Sequence, residues 1–271
     1  MKDNTNSKSM KKVLMLLLAT AFTGTLAFAQ DGENDLKNFR FGLKAVPMIT
    51  WYKPDDAAKF ENGGAMLKFG YGLSTEFRLN KVAAFATGIQ IDYDGGKINF
   101  KDTAYYFLSR DNELIEPGDT ADFTGESAYT LKKRSYNTTY VTIPLTLKLK
   151  TNEIGYMTYY GQFGVNASVR ARSRINDEVN LLPGGASATQ TKLLNSSDMQ
   201  LMKLALNVGL GAEYNIQGST SLVFGINYIN GFTNVAKKES RYIFRTPSNN
   251  NGPLKQDFRA NAVQITVGVL F

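Results

Sequence analysis

The sequence predicts an all-β protein, an eight-stranded antiparallel transmembrane β-barrel of the up-and-down type. Three observations support this fold class. Eight segments alternate apolar and polar residues with the period of two that strands show, and no segment has convincing helical spacing. In addition, long connections alternate with short ones along the chain.

The predicted strands follow one another at 39–51, 65–79, 82–93, 136–150, 156–172, 200–215, 220–232 and 258–271. In the first four, the apolar faces include, in order, Phe41 and Leu43, Phe69 and Tyr71, Ile89 and Ile91, and Ile143 and Leu145. In the last four they include Phe163 and Val165, Leu206 and Val208, Phe224 and Ile226, and Ile265 and Val267. Polar residues or glycines fill the alternate positions, so each strand has one apolar and one polar face.

The connections have the order that membrane barrels show. The long ones cover 52–64, 94–135, 173–199 and 233–257, and the short ones cover 80–81, 151–155 and 216–219. Membrane barrels have short periplasmic turns and long extracellular loops. We therefore expect four long extracellular loops. After the N-terminus no segment has the roughly 18 apolar residues of a membrane helix, so a closed barrel is the remaining way to span a bilayer.

The N-terminus has the features of a secretory signal peptide. Four lysines precede a mainly apolar stretch at 13–26, and residues 27–29 (AFA) match an A-x-A cleavage site. We expect residues 1–29 to be removed on export and residues 30–271 to form a barrel in the bacterial outer membrane.

Composition excludes several classes of function. Cleavage takes four lysines and one aspartate from the 31 basic and 24 acidic residues, which leaves a net charge of +4 and indicates no particular partner. Nucleic acid is implausible for an exported barrel. The sequence has no Cys and no His, so disulfides, Cys-linked lipid, imidazole catalysis and most zinc sites are excluded.

Alternation alone leaves open which face is inside, because a soluble ligand-binding barrel has the same period with an apolar interior. The glycines favour a polar interior. Glycine weakens a strand and is used where space is short, as in the narrow lumen of an eight-stranded barrel. The polar face carries Gly42, Gly70, Gly72, Gly88, Gly164, Gly209, Gly211, Gly225 and Gly268.

A polar interior predicts a network of paired charges, because buried charges must be paired. The predicted lumen network consists of Arg40, Lys44, Lys68, Glu76, Arg78, Asp92, Lys148 and Glu213. One interpretation is an ion path. We prefer a packed polar plug, because eight strands leave room for little beyond side chains.

Aromatic residues near the predicted strand ends suggest interfacial girdles. They are Trp51, Tyr52, Tyr93, Tyr136, Tyr140, Tyr156, Tyr159, Tyr160, Tyr214, Tyr228 and Phe232.

The last predicted strand, 258–271, ends on an aromatic residue. An exposed apolar strand edge invites aggregation, so this strand is expected to close the barrel, paired on both sides. It resembles the closing strand and assembly signal of bacterial outer-membrane barrels. That resemblance implies that Val267, Val269 and Phe271 are recognised by the barrel-assembly machinery.

Two segments, 140–148 (YVTIPLTLK) and 224–235 (FGINYINGFTNV), resemble the PorT-like outer-membrane β-barrel family of the Bacteroidetes type. The resemblance extends over 39–271 and implies a barrel, with a role in protein secretion or gliding in a few members. Pro144 lacks a backbone donor and predicts a local bulge or irregularity.

No spacing of Ser, Lys, Asp or Glu singles out a catalytic or metal site, so we predict no enzyme, no cofactor and no metal. The fourth long connection carries a loop basic cluster of Lys237, Lys238, Arg241 and Arg245. Opposite a lipopolysaccharide-rich leaflet, these side chains could pair with phosphates. A plain exposed loop is the alternative.

Our functional hypothesis is a monomeric outer-membrane barrel with a structural or interaction role. It contacts membrane lipid and lipopolysaccharide, and its long loops offer a surface to a protein partner. The alternatives are a small porin or solute channel, a component of a secretion or gliding system, and a soluble exported ligand-binding barrel.

Overall fold

The computed structural model describes residues 38–101, 104–108, 113–114, 127–181, 186–244 and 253–271. The predicted signal peptide lies outside the described residues. In the described part, thirteen strands form one sheet. They are β1 Phe39–Pro54, β2 Phe60–Asn62, β3 Met66–Arg78, β4 Ala83–Phe100, β5 Tyr105–Leu108, β6 Ser127–Lys150, β7 Met157–Leu181, β8 Ser187–Leu194, β9 Met202–Gln217, β10 Thr220–Asn234, β11 Glu239–Phe244, β12 Pro253–Lys255 and β13 Phe258–Leu270. A 3-10 helix covers Ser196–Asp198.

Eight of these strands are linked in a ring of antiparallel pairs. β1 pairs with β3, and the pairing continues through β4, β6, β7, β9 and β10 to β13. β13 also pairs with β1, which completes the ring. The predicted all-β, antiparallel fold is therefore confirmed, and each predicted strand corresponds to one strand of the ring. None of the helices in the described residues is long and apolar enough to cross a membrane.

The apolar faces point outward, as the glycines predicted. Leu206 and Ile265 are 47% and 48% exposed, whereas Glu213 is only 4% exposed. On β6 the outward side chains are apolar from Leu149 up to Val141, and the outward positions above Val141 are polar. The outside of the ring is thus an apolar belt with a polar region above it.

Several strands extend far beyond their predicted ends. β4 continues to Phe100, β6 begins at Ser127 and β7 continues to Leu181, so segments predicted as loops are strands. In the upper part of β7 the alternation of apolar and polar residues is hard to recognise in the sequence, because one of the buried side chains is charged. Ile175, Asp177 and Val179 are all buried there. β2, β5, β8, β11 and β12 also lie within predicted loops.

A hydrophobic cluster, here called the cap core, lies at the end of the ring where the long connections are. It joins inward side chains at the upper ends of the ring strands to the short strands of the connections. Phe60 of β2 packs edge-on against Phe258 of β13 with ring centroids 5.0 Å apart. The cap core consists of Tyr52, Phe60, Ile98, Ala104, Tyr106, Leu108, Tyr129, Leu131, Tyr136, Ile175, Val179, Leu193, Met199, Val235, Ala236, Ile243, Leu254, Phe258 and Ala260.

One sequence-based expectation, about the girdles, needs correction, and the one about Pro144 is met by an irregularity without a bulge. Four residues of the predicted girdles point inward and are buried: Tyr52, Tyr136, Tyr140 and Tyr160. Their positions in the alternation put them on the polar face, which outweighs their aromatic character. Pro144 causes no register shift between β4 and β6, although the pairing is interrupted between Ala86 and Gln90. The missing backbone donor of proline accounts for this interruption.

Candidate functional site

Five charged side chains meet inside the ring near its short-turn end and form what we call the ion cluster. It consists of Arg40, Glu76, Lys148, Lys150 and Glu213. Strand register explains the first contact, because Arg40 of β1 lies directly opposite Glu76 of β3. The others arrive from β6 and β9, which places charges from four strands in one layer.

The two carboxylates of the ion cluster each bind several cations. Arg40 Nη2 donates to Glu76 Oε1 at 2.8 Å and to Glu213 Oε2 at 2.5 Å. Lys148 Nζ donates to Glu76 Oε2 at 3.1 Å and to Glu213 Oε1 at 3.0 Å. Lys150 Nζ lies 2.9 Å from Glu213 Oε1 and also contacts Glu76. Shared contacts of this kind offset the cost of removing the charges from water.

Sequence reasoning placed Arg40, Glu76, Lys148 and Glu213 in the lumen, and the structure brings these four together. It omitted Lys150, although the alternation puts that residue on the same face as Lys148. A third predicted cation, Arg78, is only half-buried, and its shielded Nη1 has no hydrogen-bond partner among the described residues. Lys148 Nζ also lies 4.2 Å from the centroid of the Tyr160 ring, a cation–π contact.

A second polar layer lies above the ion cluster. Asp92 accepts hydrogen bonds from Gln90 and from Thr142 Oγ1, the latter at 2.7 Å. It is therefore held by neutral donors and forms no ion pair in the described part of the chain. In the same region Lys203 Nζ is 2.5 Å from Asp94 Oδ2, a pair that the sequence did not suggest.

Lys44 lines a small interior cavity between the two polar layers. The cavity has a volume of about 60 Å³, and Lys148, Tyr160 and Gln264 also line it. The side chain of Lys44 makes no hydrogen bond or salt bridge to any other described residue, although its backbone is part of the β1 pairings. A water molecule needs about 10–15 Å³ of such space, so the cavity has room for a few waters and for no larger solute.

Lys68 is absent from the interior network, contrary to prediction. Its Nζ donates to Asn137 Oδ1 at 2.6 Å. Asn137 alternates with the buried residues Tyr136 and Thr138, so it lies on the outer face. The Lys68 side chain reaches it across Gly95, which has no side chain to block the path: a Cβ on Gly95 would lie 3.2 Å from Lys68 Cε.

A fully buried ion pair joins β6 and β7 within the cap core. Arg134 donates through Nε and Nη2 to the two carboxylate oxygens of Asp177 at 2.8 and 2.7 Å. Burial alone would lower the pKa of Arg134, but the Asp177 carboxylate raises it above its ordinary value, so the guanidinium stays charged. No pattern in the sequence indicates this pair, whose members are 43 residues apart.

The backbone beside the loop basic cluster is organised by Asp198. Its Oδ1 accepts a hydrogen bond from Arg241 N at 2.6 Å, and its backbone oxygen accepts one from Lys237 N at 2.7 Å. Lys238 and Arg241 are exposed. Arg245 lies outside the described residues.

The last strand is paired on both sides. Val267 lies opposite Ala45 of β1 and Phe224 of β10, and Val269 lies opposite Leu43 and Leu222. Phe271 exchanges two backbone hydrogen bonds with Phe41.

The described residues show no catalytic arrangement, and among them no group of three or more His, Cys, Asp and Glu side chains could hold a metal ion. What the site provides is a ring interior filled by paired charges at one end and by apolar side chains at the other.

Several solved structures of low sequence identity resemble the fold. Neisserial surface protein A (NspA) is 13% identical, with a TM-score of 0.42 over 86% of this chain and 96% of that chain. OprG from Pseudomonas aeruginosa is 12% identical, with a TM-score of 0.41 over 88% of this chain and 99% of that chain. Ail from Yersinia pestis, in complex with the heparin analogue sucrose octasulfate, is 11% identical, with a TM-score of 0.36 over 87% and 100%.

No curated protein matches the chain. Residues 28–237 match the family described as outer membrane protein beta-barrel domain. This match covers well over half of the chain. The protein therefore belongs to the outer membrane protein beta-barrel domain family, whose members are located in the outer membrane.

Proposed function

We propose that the protein is a non-conducting, monomeric, eight-stranded transmembrane barrel that presents its cap core and long connections at the cell surface as an interaction platform. The observation that carries the proposal is the filling of the interior at both ends. The ion cluster occupies the short-turn end, and the cap core occupies the other end.

The orientation follows from the connections. β3–β4, β6–β7 and β9–β10 are joined by short turns at one end, together with Phe39 and Phe271. Membrane barrels keep short turns in the periplasm and long connections outside. The cap core is therefore on the extracellular side, and the apolar belt lies in the hydrocarbon region.

The closed lumen leads to a first prediction. In planar bilayers the purified full-length protein should give no steady single-channel currents, because the paired side chains of the ion cluster leave no continuous water path. Lys148→Ala combined with Tyr160→Ala enlarges the cavity but should still give no steady currents, because the cap core closes the other end of the ring. Steady currents from the unmodified protein would overturn the proposal in favour of a small pore.

We also propose that the platform binds a protein partner and that the loop basic cluster contacts lipopolysaccharide phosphates. Lys238 and Arg241 support the second point because both are exposed.

The resemblance to PorT-like proteins also suggests a role in protein secretion, which can be tested. If the protein has that role, deleting the gene should block the export of other proteins while leaving outer-membrane integrity intact.

Assembly through the last strand gives a second prediction. Replacing Phe271 with Ala should lower the assembled fraction in the outer membrane several-fold at equal expression, because the proposed assembly signal loses its terminal aromatic residue. Heat-modifiable gel mobility of membrane fractions measures that fraction. Phe39→Ala is the matched control, since Phe39 is a similarly exposed aromatic at the same end of the barrel. Equal losses in both variants would argue against a specific signal.

A further inference from the structure

We propose that the outer face of β3, β4, β6 and β7 binds a phosphate group of a phosphorylated, multi-acyl lipid of the outer leaflet. The site is an outer basic patch formed by Lys68, Lys97, Arg172 and Arg174. It is separate from the loop basic cluster. The inference rests on the proposed function, because it requires this end of the barrel to face the outer leaflet.

The strand register brings the four cations together. Gly95, Asn137 and Arg174 lie side by side on β4, β6 and β7, and Lys68 reaches this row through its hydrogen bond to Asn137. Arg172 is one outward position lower on β7, opposite Thr139. Neighbouring strands are roughly 5 Å apart and successive outward positions roughly 7 Å, so the cations surround an area of headgroup size.

Lys97 completes the patch on the side away from the belt. It lies opposite Ser135, one outward position above Gly95. Each of these four side chains is at least partly exposed, and Arg172 is exposed.

None of the four cations of the outer basic patch forms an ion pair with a described residue, although exposed Glu61 of β2 lies opposite Asn99, one outward position above Lys97. The acidic side chain nearest to it in strand register on β7 is Glu178, which lies two outward positions above Arg174 and pairs with Lys133 at 3.6 Å. Asp94, adjacent to Gly95, points inward and is bound by Lys203. Four cations outnumber the nearby carboxylates, and such a net positive field attracts phosphate, for which guanidinium groups offer several donors.

Arg174 provides an independent indication of a missing acceptor. Its Nε is shielded from solvent and has no hydrogen-bond partner among the described residues. A shielded donor without an acceptor is costly, and an acceptor from outside the chain would remove that cost. A phosphate oxygen on the patch is such an acceptor.

The surface below the patch favours a lipid over a soluble phosphate. An apolar groove of about 730 Å³ runs along the outside of β13, β1, β3 and β4, and its lining includes Ala45, Tyr71, Leu73 and Ile91. Ile91 of the groove lining is four residues below Gly95, or roughly 13 Å along the strand. That distance is within the roughly 15 Å half-thickness of the hydrocarbon core. An acyl chain whose headgroup lies at the level of the patch can therefore reach the groove.

The test is a titration of the full-length protein in neutral detergent, with binding followed by native mass spectrometry. The ligands are bisphosphorylated lipid A, the same lipid without phosphates, and inorganic pyrophosphate. We expect lipid A to bind at least about tenfold more tightly than either of the others, and less tightly at high salt. Equal binding of the dephosphorylated lipid, or equal binding of pyrophosphate, would overturn the proposal.

Two double variants locate the site. Arg172→Gln with Arg174→Gln should weaken lipid A binding at least about tenfold, because two charge-assisted contacts are lost. Lys53→Gln with Lys81→Gln removes the same charge from exposed positions outside both basic clusters and should leave binding within about twofold. The reverse result would overturn the proposal.

Folding and conductance provide separate controls. All variants should keep the heat-modifiable mobility of the unmodified protein.

Lys97→Gln, a single change at a partly exposed side chain, should weaken lipid A binding about threefold to fivefold and thus gives a second, milder test of the site. Single-channel currents from the unmodified protein would contradict the closed lumen without affecting lipid binding, so the two proposals can fail independently.

Discussion

The variant Glu213→Gln is expected to unfold at a clearly lower urea concentration than the unmodified protein. It leaves Arg40, Lys148 and Lys150 with one carboxylate, Glu76, to share. Removing one partner of a buried ion pair costs about 3–5 kcal/mol, because the remaining charge stays away from water. Glutamine keeps the shape of glutamate, so the loss of stability reports on the removal of the negative charge. Unfolding in lipid vesicles can be followed by the fluorescence of Trp51, the only tryptophan.

The matched control is Glu61→Gln, which makes the same change at an exposed position of β2. It should shift the free energy of unfolding by less than about 0.5 kcal/mol. Adding Lys150→Gln to Glu213→Gln should restore part of the lost stability by removing an unpaired cation. If Glu213→Gln unfolds like the unmodified protein, the ion cluster does not stabilise the barrel.

Asp177→Asn is expected to open the cap core while the eight-stranded ring stays folded. The change leaves the guanidinium of Arg134 fully buried without a counter-ion. The expected cost is again about 3–5 kcal/mol, but it falls on the ends of β6 and β7 that lie in the cap core. In limited proteolysis the cap core of the variant should be cleaved several-fold faster than that of the unmodified protein. The heat-modifiable mobility of the ring should not change.

Glu178→Gln is the control for the cap. Glu178 follows Asp177 directly but lies on the outer face, where its side chain is 61% exposed and 3.6 Å from Lys133. An exposed pair contributes at most about 1 kcal/mol, so the protease sensitivity should be unchanged. Equal sensitivity of the two variants would mean that the buried pair does not hold the cap together.

Local alternation accounts for the success of the strand predictions and for their errors. Segments such as 204–210 alternate strictly, and their ends were placed within about two residues. In the upper part of β7, by contrast, the buried positions are Ile175, Asp177 and Val179. A charged residue at a buried position makes the segment look like a polar loop. The segment could be recognised as a strand only by knowing that Arg134 pairs with Asp177 in the interior.

The sequence by itself determined the ring strands, their order and which face of each is polar, because these properties depend on neighbouring residues with a period of two. Tertiary structure alone decided which charges meet. Arg40 and Glu213 are 173 residues apart and come together only through the register of the ring strands. It also carried Lys68 to the outer face and brought described residues of the long connections into the cap core, since a side chain's final position depends on the space that its neighbours leave.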